Sequence, residues 1–285
     1  MQLQLLLICS VLSSGLPTYY LPYDQGERSD HSHHPYAKYV VSIQTKLPRS
    51  QYFGTNHFCV GTIVAPIYVL TASHCILDSN RSRLLKPDEL LVIAGAPNRR
   101  RPTEHTRILH IQSVHPYSRN RITFNHDLTL LRLQDNDTLD LNLTLSLGIA
   151  QLATHQPYAH SNCIVLGWGR AQMKAPFAEE LMPRVFQVQP QKYCQSVFPV
   201  SFRKELFCAT VSPEASQDVC GGDSGGPLIC GNQLMGIVTR GVLCDRRYPA
   251  LFVSVASHRR WIKRVFSGVG KSLPLITWLS LNIIY

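Results

Sequence analysis

Hydrophobic residues between positions 39 and 255 occur in short runs that are separated by Gly, Pro, Asn and Asp. Short runs rich in Val, Ile, Thr and aromatic residues, and bounded by turn-forming residues, are typical of β-strands. A long succession of such strands predicts an all-β barrel or sandwich. The runs are YVVSIQ, CVGTIVA, YVLTA, LLVIAG, LTLLRL, CIVLGWG, PLIC, QLMGIVT and ALFVSV.

One helix is predicted near the end of this region. The apolar residues there follow the spacing of a single helix face rather than the alternation of a strand. Ser257 is expected to open this helix. The apolar positions are Val255, Trp261, Ile262, Val265 and Phe266.

Apolar segments at the two ends of the chain lie outside the strand pattern. Residues 1–15 join a short apolar core to small residues, and Ser13 and Gly15 fit a signal-peptidase site, so we expect a secretory signal. A buried N-terminal strand is the alternative. The tail, residues 267–285, ends in thirteen mostly apolar residues, which span about 20 Å as a helix against roughly 30 Å for a bilayer core. The tail is therefore not predicted to cross a membrane. It is interpreted either as a signal for a lipid anchor, which would attach the protein to a membrane, or as a disordered or surface-docked tail.

The cysteine count points to an oxidising compartment. Signal cleavage would remove Cys9 from the nine cysteines and leave an even number, which indicates disulfides in a secreted chain. Zinc is the alternative, disfavoured because the chain has no C-x-x-C pair. Three N-x-S/T triplets, at Asn80, Asn136 and Asn142, predict N-glycosylation of a secreted, extracellular protein.

The net charge is +10, and basic residues cluster in RRR at 99–101 and in HRRWIKR at 258–264. These clusters predict either a solvated surface or adhesion to an acidic polyanion or surface. Nucleic acid is not an expected partner, because no nucleic-acid-binding module is recognisable. The histidines His31, His33 and His34 are interpreted as part of a solvated polar loop, with metal binding as the alternative. No metal site is therefore predicted.

Candidate chemistry centres on GDSGG at 222–226. The motif fits the G-x-S-x-G elbow of α/β-hydrolases, but Gly225, Gly226 and Pro227 lead into a strand-like segment where the elbow needs a helix. A phosphate-binding loop is excluded because no Lys-Ser/Thr pair follows the glycines. The remaining arrangement takes a histidine, an acid and the serine in that order. VLTASHC supplies His74, and NHDLTLLRL supplies Asp127.

Together these stretches resemble the trypsin-like serine proteases of the chymotrypsin fold over most of residues 36–266. TASHC resembles the family's TAAHC, HDLTLLRL its D-I-A-L-L strand, CIVLGWG its C-x-x-x-GWG segment, and GDSGGPLIC its most specific motif. The resemblance implies two packed antiparallel six-stranded β-barrels with a C-terminal helix. It also implies four disulfides: Cys59 with Cys75, Cys163 with Cys230, Cys194 with Cys208, and Cys220 with Cys244.

The resemblance also implies a mechanism without metal or organic cofactor. Ser224 is the expected nucleophile, His74 its general base, and Asp127 the group that holds the imidazole. The N–H groups of Gly222 and Ser224 are expected to form the oxyanion hole. Thr239 matches a family serine near the buried acid and is expected to donate its hydroxyl to Asp127.

The specificity pocket combines matches and departures. Asp218 matches the acid that selects Arg or Lys side chains, and Gly241 at the pocket wall leaves room for them. Arg240 occupies the position where the family has a tryptophan, and Leu243 and Ala250 occupy positions where the family has glycines. Each of these replacements adds bulk or charge to the pocket. The expected partners are polypeptide substrates and protease inhibitors, and the expected state is a monomer.

Activation is the feature in which the chain departs most from the family. The family cuts before an Ile-Val-Gly-Gly-like start, whose new α-amino group pairs with the acid before the serine, here Asp223. No such start occurs near YYLPYDQGER, and the cleavable bond after Arg28 precedes a polar segment. Asp223 is therefore expected to lack its partner and to leave the oxyanion loop unformed. The predicted function is a secreted serine endopeptidase that cleaves after Arg or Lys, and a catalytically silent homologue that binds or regulates is the alternative. The predicted domains are 1–15 signal, 16–35 pro-segment or atypical N-terminus, 36–266 peptidase (barrels about 36–146 and about 147–266) and 267–285 tail.

Overall fold

Antiparallel strands form the framework of the described chain between positions 34 and 268. The computed structural model describes residues 34–46, 52–78, 83–118, 126–137, 139, 147–212, 219–240, 244 and 247–268. The predicted signal, Asn80, Asn142, His31, His33 and all of the tail after residue 268 lie outside these ranges.

The first barrel is closed by six antiparallel strands in the order β1-β2-β3-β8-β7-β6. Val41 of β1 pairs with Gly61 on one side and with Ala94 on the other, so β1 has no free edge there. Closure removes sheet edges, and the apolar side chains fill the interior. The strands are Val40–Thr45 (β1), His57–Ala65 (β2), Tyr68–Thr71 (β3), Leu77–Asp78 (β4), Arg83–Leu84 (β5), Leu90–Ala94 (β6), Arg107–Pro116 (β7) and Thr129–Leu133 (β8). The short strands β4 and β5 form a separate two-stranded sheet.

The second barrel closes when β13 pairs with both β10 and β14. Its strand order is β13-β10-β11-β12-β15-β14, and a short strand, β9, pairs in parallel with β14. Phe252 stacks on Phe207 and meets Phe186 edge-on in its core. The strands are Gln151–Leu152 (β9), Asn162–Gly167 (β10), Met182–Val188 (β11), Leu206–Val211 (β12), Pro227–Cys230 (β13), Gln233–Arg240 (β14) and Ala250–Ser254 (β15).

Two α-helices accompany the barrels in the described ranges: α1, Gln191–Val197, and α2, Val255–Phe266. The C-terminal helix was predicted and α1 was not. The prediction that Ser257 opens α2 is wrong, because the helix begins two residues earlier and the Ser254 hydroxyl caps it by accepting from the Ser257 N–H. Of the helices described, none has the length and hydropathy of a membrane span.

All four expected disulfides are present, linking Cys59 with Cys75, Cys163 with Cys230, Cys194 with Cys208, and Cys220 with Cys244. The predicted fold of two six-stranded barrels, a C-terminal helix and four disulfides is therefore confirmed. The domain boundary at about residue 146 stays a prediction.

Candidate active site

His74 lies in the 3₁₀ turn Ser73–Ile76, directly after β3. The buried Ser73 hydroxyl donates to the Leu128 carbonyl at 2.7 Å, which ties this turn to the start of β8. The Cys59–Cys75 disulfide ties the turn to β2. His74 is thus held from both sides while its own side chain remains 36% exposed.

Asp127 is the buried partner of His74, with a side chain only 2% exposed. Its Oδ1 accepts the His74 backbone N–H at 2.8 Å, and its Oδ2 lies 2.6 Å from His74 Nδ1. The Thr239 hydroxyl also donates to Oδ2. Because a carboxylate only accepts hydrogen bonds, Nδ1 carries the proton and Nε2 is left with its lone pair. The role of His74 as a general base stays a prediction.

Ser224 lies in a turn, residues 220–226, that joins the two barrels. Its carbonyl accepts the Val60 N–H at 2.8 Å, next to Cys59 in β2, and the Gly225 N–H donates to Val238 of β14 at 2.9 Å. The turn that carries Ser224 is therefore linked, through β2 and the Cys59–Cys75 disulfide, to the turn that carries His74.

Gly222 and Ser224 carry the two backbone N–H groups on either side of Asp223 in this turn. Gly222 has φ +101°, a conformation that side chains rarely allow. Neither N–H donates a hydrogen bond to any residue among those the structure describes. These two N–H groups are the donors predicted for the oxyanion hole, which stays a prediction.

Asp223 points away from solvent and is fully buried. The missing α-amino partner stays a prediction, but the carboxylate is not unpaired, because Arg184 of β11 pairs with it, with 3.0 Å between Nη1 and Oδ1. Two backbone N–H groups also donate to the carboxylate, that of Gly169 at 2.8 Å and that of Cys220 at 3.0 Å. The turn around Ser224 is correspondingly well ordered by hydrogen bonds rather than unformed.

His57 is a buried histidine that contacts the same turn from β2. Its Nε2 lies 3.2 Å from the Gly222 carbonyl, which can only accept, so Nε2 carries the proton and Nδ1 accepts from the Ser42 hydroxyl at 2.9 Å. The pKa of His57 is lowered from 6.5 to about 3, chiefly by burial and also by the positive charge of Arg99, while the bond to the Gly222 carbonyl opposes both effects. His57 is therefore neutral at physiological pH.

The predicted specificity residues are only partly within the described ranges. Thr239 is buried against Asp127, Arg240 is exposed at the end of β14, and Ala250 is buried at the start of β15. Asp218, Gly241 and Leu243 lie outside the described residues. The pocket that these positions would form stays a prediction.

Each of the two basic clusters combines a buried residue with exposed ones. Arg99 is buried and donates to the carbonyls of Gly54, Phe177 and Ala178, so the prediction of a solvated RRR surface is wrong for its first residue. In α2, His258 is buried, whereas three basic side chains are exposed: Arg260, Lys263 and Arg264.

Three contributors to the site were missed from the sequence: Ser73, His57 and Arg184. Arg184 lies on the same face of β11 as the buried residues Phe186 and Val188, because side chains two positions apart in a strand point to the same side. A basic residue at an inward position of a strand is a usable signal, because a buried cation needs a partner. Nothing comparable marked Ser73 or His57.

Comparisons with known proteins agree with this geometry. The family model described as Trypsin matches residues 25–262. Serine protease 1 of Homo sapiens is 28% identical over 216 residues, covering 74% of this chain and 81% of that protein. Trypsin eta of Drosophila melanogaster is 28% identical over 234 residues, covering 80% of this chain and 84% of that protein. The solved structure of neuropsin, a serine protease expressed in the limbic system of mouse brain, has the same fold with a TM-score of 0.67 at 24% identity, covering 83% of this chain and 96% of that one.

Proposed function

Because the chain belongs to the trypsin family of serine proteases, we propose that it is a secreted endopeptidase that hydrolyses polypeptides after arginine or lysine. The observation that carries the proposal is the pair of His74 and buried Asp127, with 2.6 Å between Nδ1 and Oδ2. The turn that bears Ser224 is linked to this pair through β2.

Each residue has a chemical step in this mechanism. His74 Nε2 removes the Ser224 proton as Oγ attacks the scissile carbonyl, and later returns it to the leaving amine. Asp127 holds the imidazole tautomer and stabilises the imidazolium that forms. The N–H groups of Gly222 and Ser224 stabilise the oxyanion, at roughly 3 to 4 kcal/mol for each donor in comparable enzymes. Water then hydrolyses the acyl-enzyme.

Specificity for arginine or lysine rests on Asp218 and on the family match rather than on a described contact. A carboxylate at the base of a closed pocket selects a cationic side chain, because the attraction is stronger in a low dielectric. The exposed Arg240 adds a positive charge near the expected mouth of the pocket, and we expect it to favour acidic residues next to the cleavage site.

The test is labelling of the purified protein with a fluorophosphonate probe, before and after limited trypsin treatment, followed by profiling on a peptide library. Ser224 is expected to react, and His74→Ala to slow labelling by at least about 100-fold. His110→Ala is the matched control, because His110 also pairs with an aspartate, at 3.0 Å, on the surface of the first barrel. Cleavage only after aromatic or small residues would contradict the proposed specificity for arginine or lysine. Equal labelling of His74→Ala and His110→Ala would contradict the proposed mechanism.

A non-proteolytic binding role is the second candidate, favoured by the exposed side chains of Arg260, Lys263 and Arg264 along α2. A row of cations on one helix attracts a polyanion with a strength that falls as salt rises. If Ser224 stays unlabelled in every form while heparin binding weakens in Lys263→Glu, the binding role replaces the enzymatic one.

A further inference from the structure

The partner of Asp223 is a side chain of the folded barrel, not a chain terminus. Arg184 is carried by β11, opposite Val165 of β10, and its side chain is 2% exposed. Its Nη2 lies 3.4 Å from the Gly169 carbonyl while Nη1 lies 3.0 Å from Asp223 Oδ1. The cation is therefore in place whenever the second barrel is folded.

The surroundings of Asp223 are shaped for this pair. A Cβ atom on either Gly167 or Gly169 would collide with the Asp223 carboxylate. The two glycines of the GWG segment therefore leave the space in which the carboxylate contacts Arg184. Asp223 also holds the turn through its backbone, donating to the Cys220 carbonyl at 3.0 Å and accepting from Gly226 at 2.9 Å. A buried carboxylate without a cation would be strongly unfavourable, so Arg184 stabilises this turn conformation.

We propose that Arg184 does for Asp223 what a cleavage-generated α-amino group does in the family, so that the oxyanion hole is already formed in the uncut chain. Arg184 acts as a positioning residue: it holds Asp223, and Asp223 holds the Gly222 and Ser224 N–H groups. Its consequence for activity rests on the proposed function. Cleavage upstream of residue 34 is then not needed to assemble the site.

The first test compares labelling of the uncut chain, verified by mass spectrometry, with labelling after limited trypsin treatment. The uncut protein is expected to react with the fluorophosphonate probe at a rate within about threefold of the treated protein. Arg28→Gln, which removes the candidate cleavage bond, is expected to react like the wild type. Labelling that appears only after cleavage would overturn this inference and leave the proposed protease function standing.

The second test varies the charge at position 184. Arg184→Gln keeps a polar side chain without charge and is expected to lower the labelling rate at least 100-fold. Arg184→Lys keeps the cation and is expected to retain much of the wild-type labelling rate. Arg132→Met is the control, because it removes an exposed arginine–aspartate pair of the first barrel instead. Equal rates in Arg184→Gln and Arg184→Lys would contradict a role for the charge.

Hydrogen exchange of a peptide covering residues 219–226 tests the inference independently of activity. Slow exchange in the uncut wild type and in Arg184→Lys, with faster exchange in Arg184→Gln, is expected even if Ser224 never reacts. Fast exchange in the uncut wild type would overturn the inference whatever the labelling shows. If Arg184→Gln does not fold, this wild-type measurement and Arg184→Lys still decide the question.

Discussion

Acidification is expected to destabilise the protein through His57. This side chain is 3% exposed and packs edge-on against Trp168 and Phe177. Both of its ring nitrogens are already used, since Nε2 donates to the Gly222 carbonyl and Nδ1 accepts from Ser42. A second proton would break the bond to Ser42 and place a charge in the core.

The sign and size of this pH effect on stability follow from the pKa of His57. That pKa is 6.5 when unperturbed and about 3 in the folded protein, chiefly because of burial. Below pH 6.5 the unfolded chain binds a proton at this residue and the folded chain does not, so stability falls as pH falls. Each pH unit in that window is worth about 1.4 kcal/mol. Lowering the pH from about 7.5 to about 5 therefore costs about 2 kcal/mol through His57 alone.

The assay is urea unfolding at constant ionic strength across this pH range, with the disulfides intact. His57→Gln is expected to lose about 2 kcal/mol of the pH dependence, because glutamine can donate to Gly222 and accept from Ser42 without titrating. His105→Gln, at a histidine whose side chain is 52% exposed, serves as the control and should follow the wild type. The reasoning fails if His57→Gln keeps the full pH dependence.

Two further predictions concern close packing. Gly169→Ala is expected to cost about 1 to 3 kcal/mol and most of the fluorophosphonate labelling, because its Cβ collides with the Asp223 carboxylate, whereas Gly221→Ala meets nothing nearer than 3.7 Å and should be close to neutral. Leu131→Ala, at a fully buried position of the first barrel, is expected to cost about 2 to 5 kcal/mol in urea unfolding, against less than about 1 kcal/mol for Ile108→Ala at a 52% exposed position. Unfolding free energies that do not separate the members of either pair would contradict these assignments.

Local patterns along the chain were enough to predict several features of this protein. Strand-length apolar runs predicted an all-β fold, because alternation and turn residues act over a few positions. The motif around Ser224 and the order of His74, Asp127 and Ser224 identified the candidate chemistry, because those residues lie in short, distinctive segments. The disulfide pairs followed from resemblance, and the structure confirms them.

Other features depended on contacts between residues far apart in the chain. Arg184 and Asp223 are separated along the sequence and meet only when β10, β11 and the GWG segment have folded. Likewise, the burial of Arg99 and the low pKa of His57 arise from groups that other segments bring close. Burial raises the free-energy cost of an unpaired charge, so the tertiary structure decides which charged residues pair. The sequence determined that an acid precedes Ser224, and only the folded second barrel determined that an arginine, present without any cleavage, holds it.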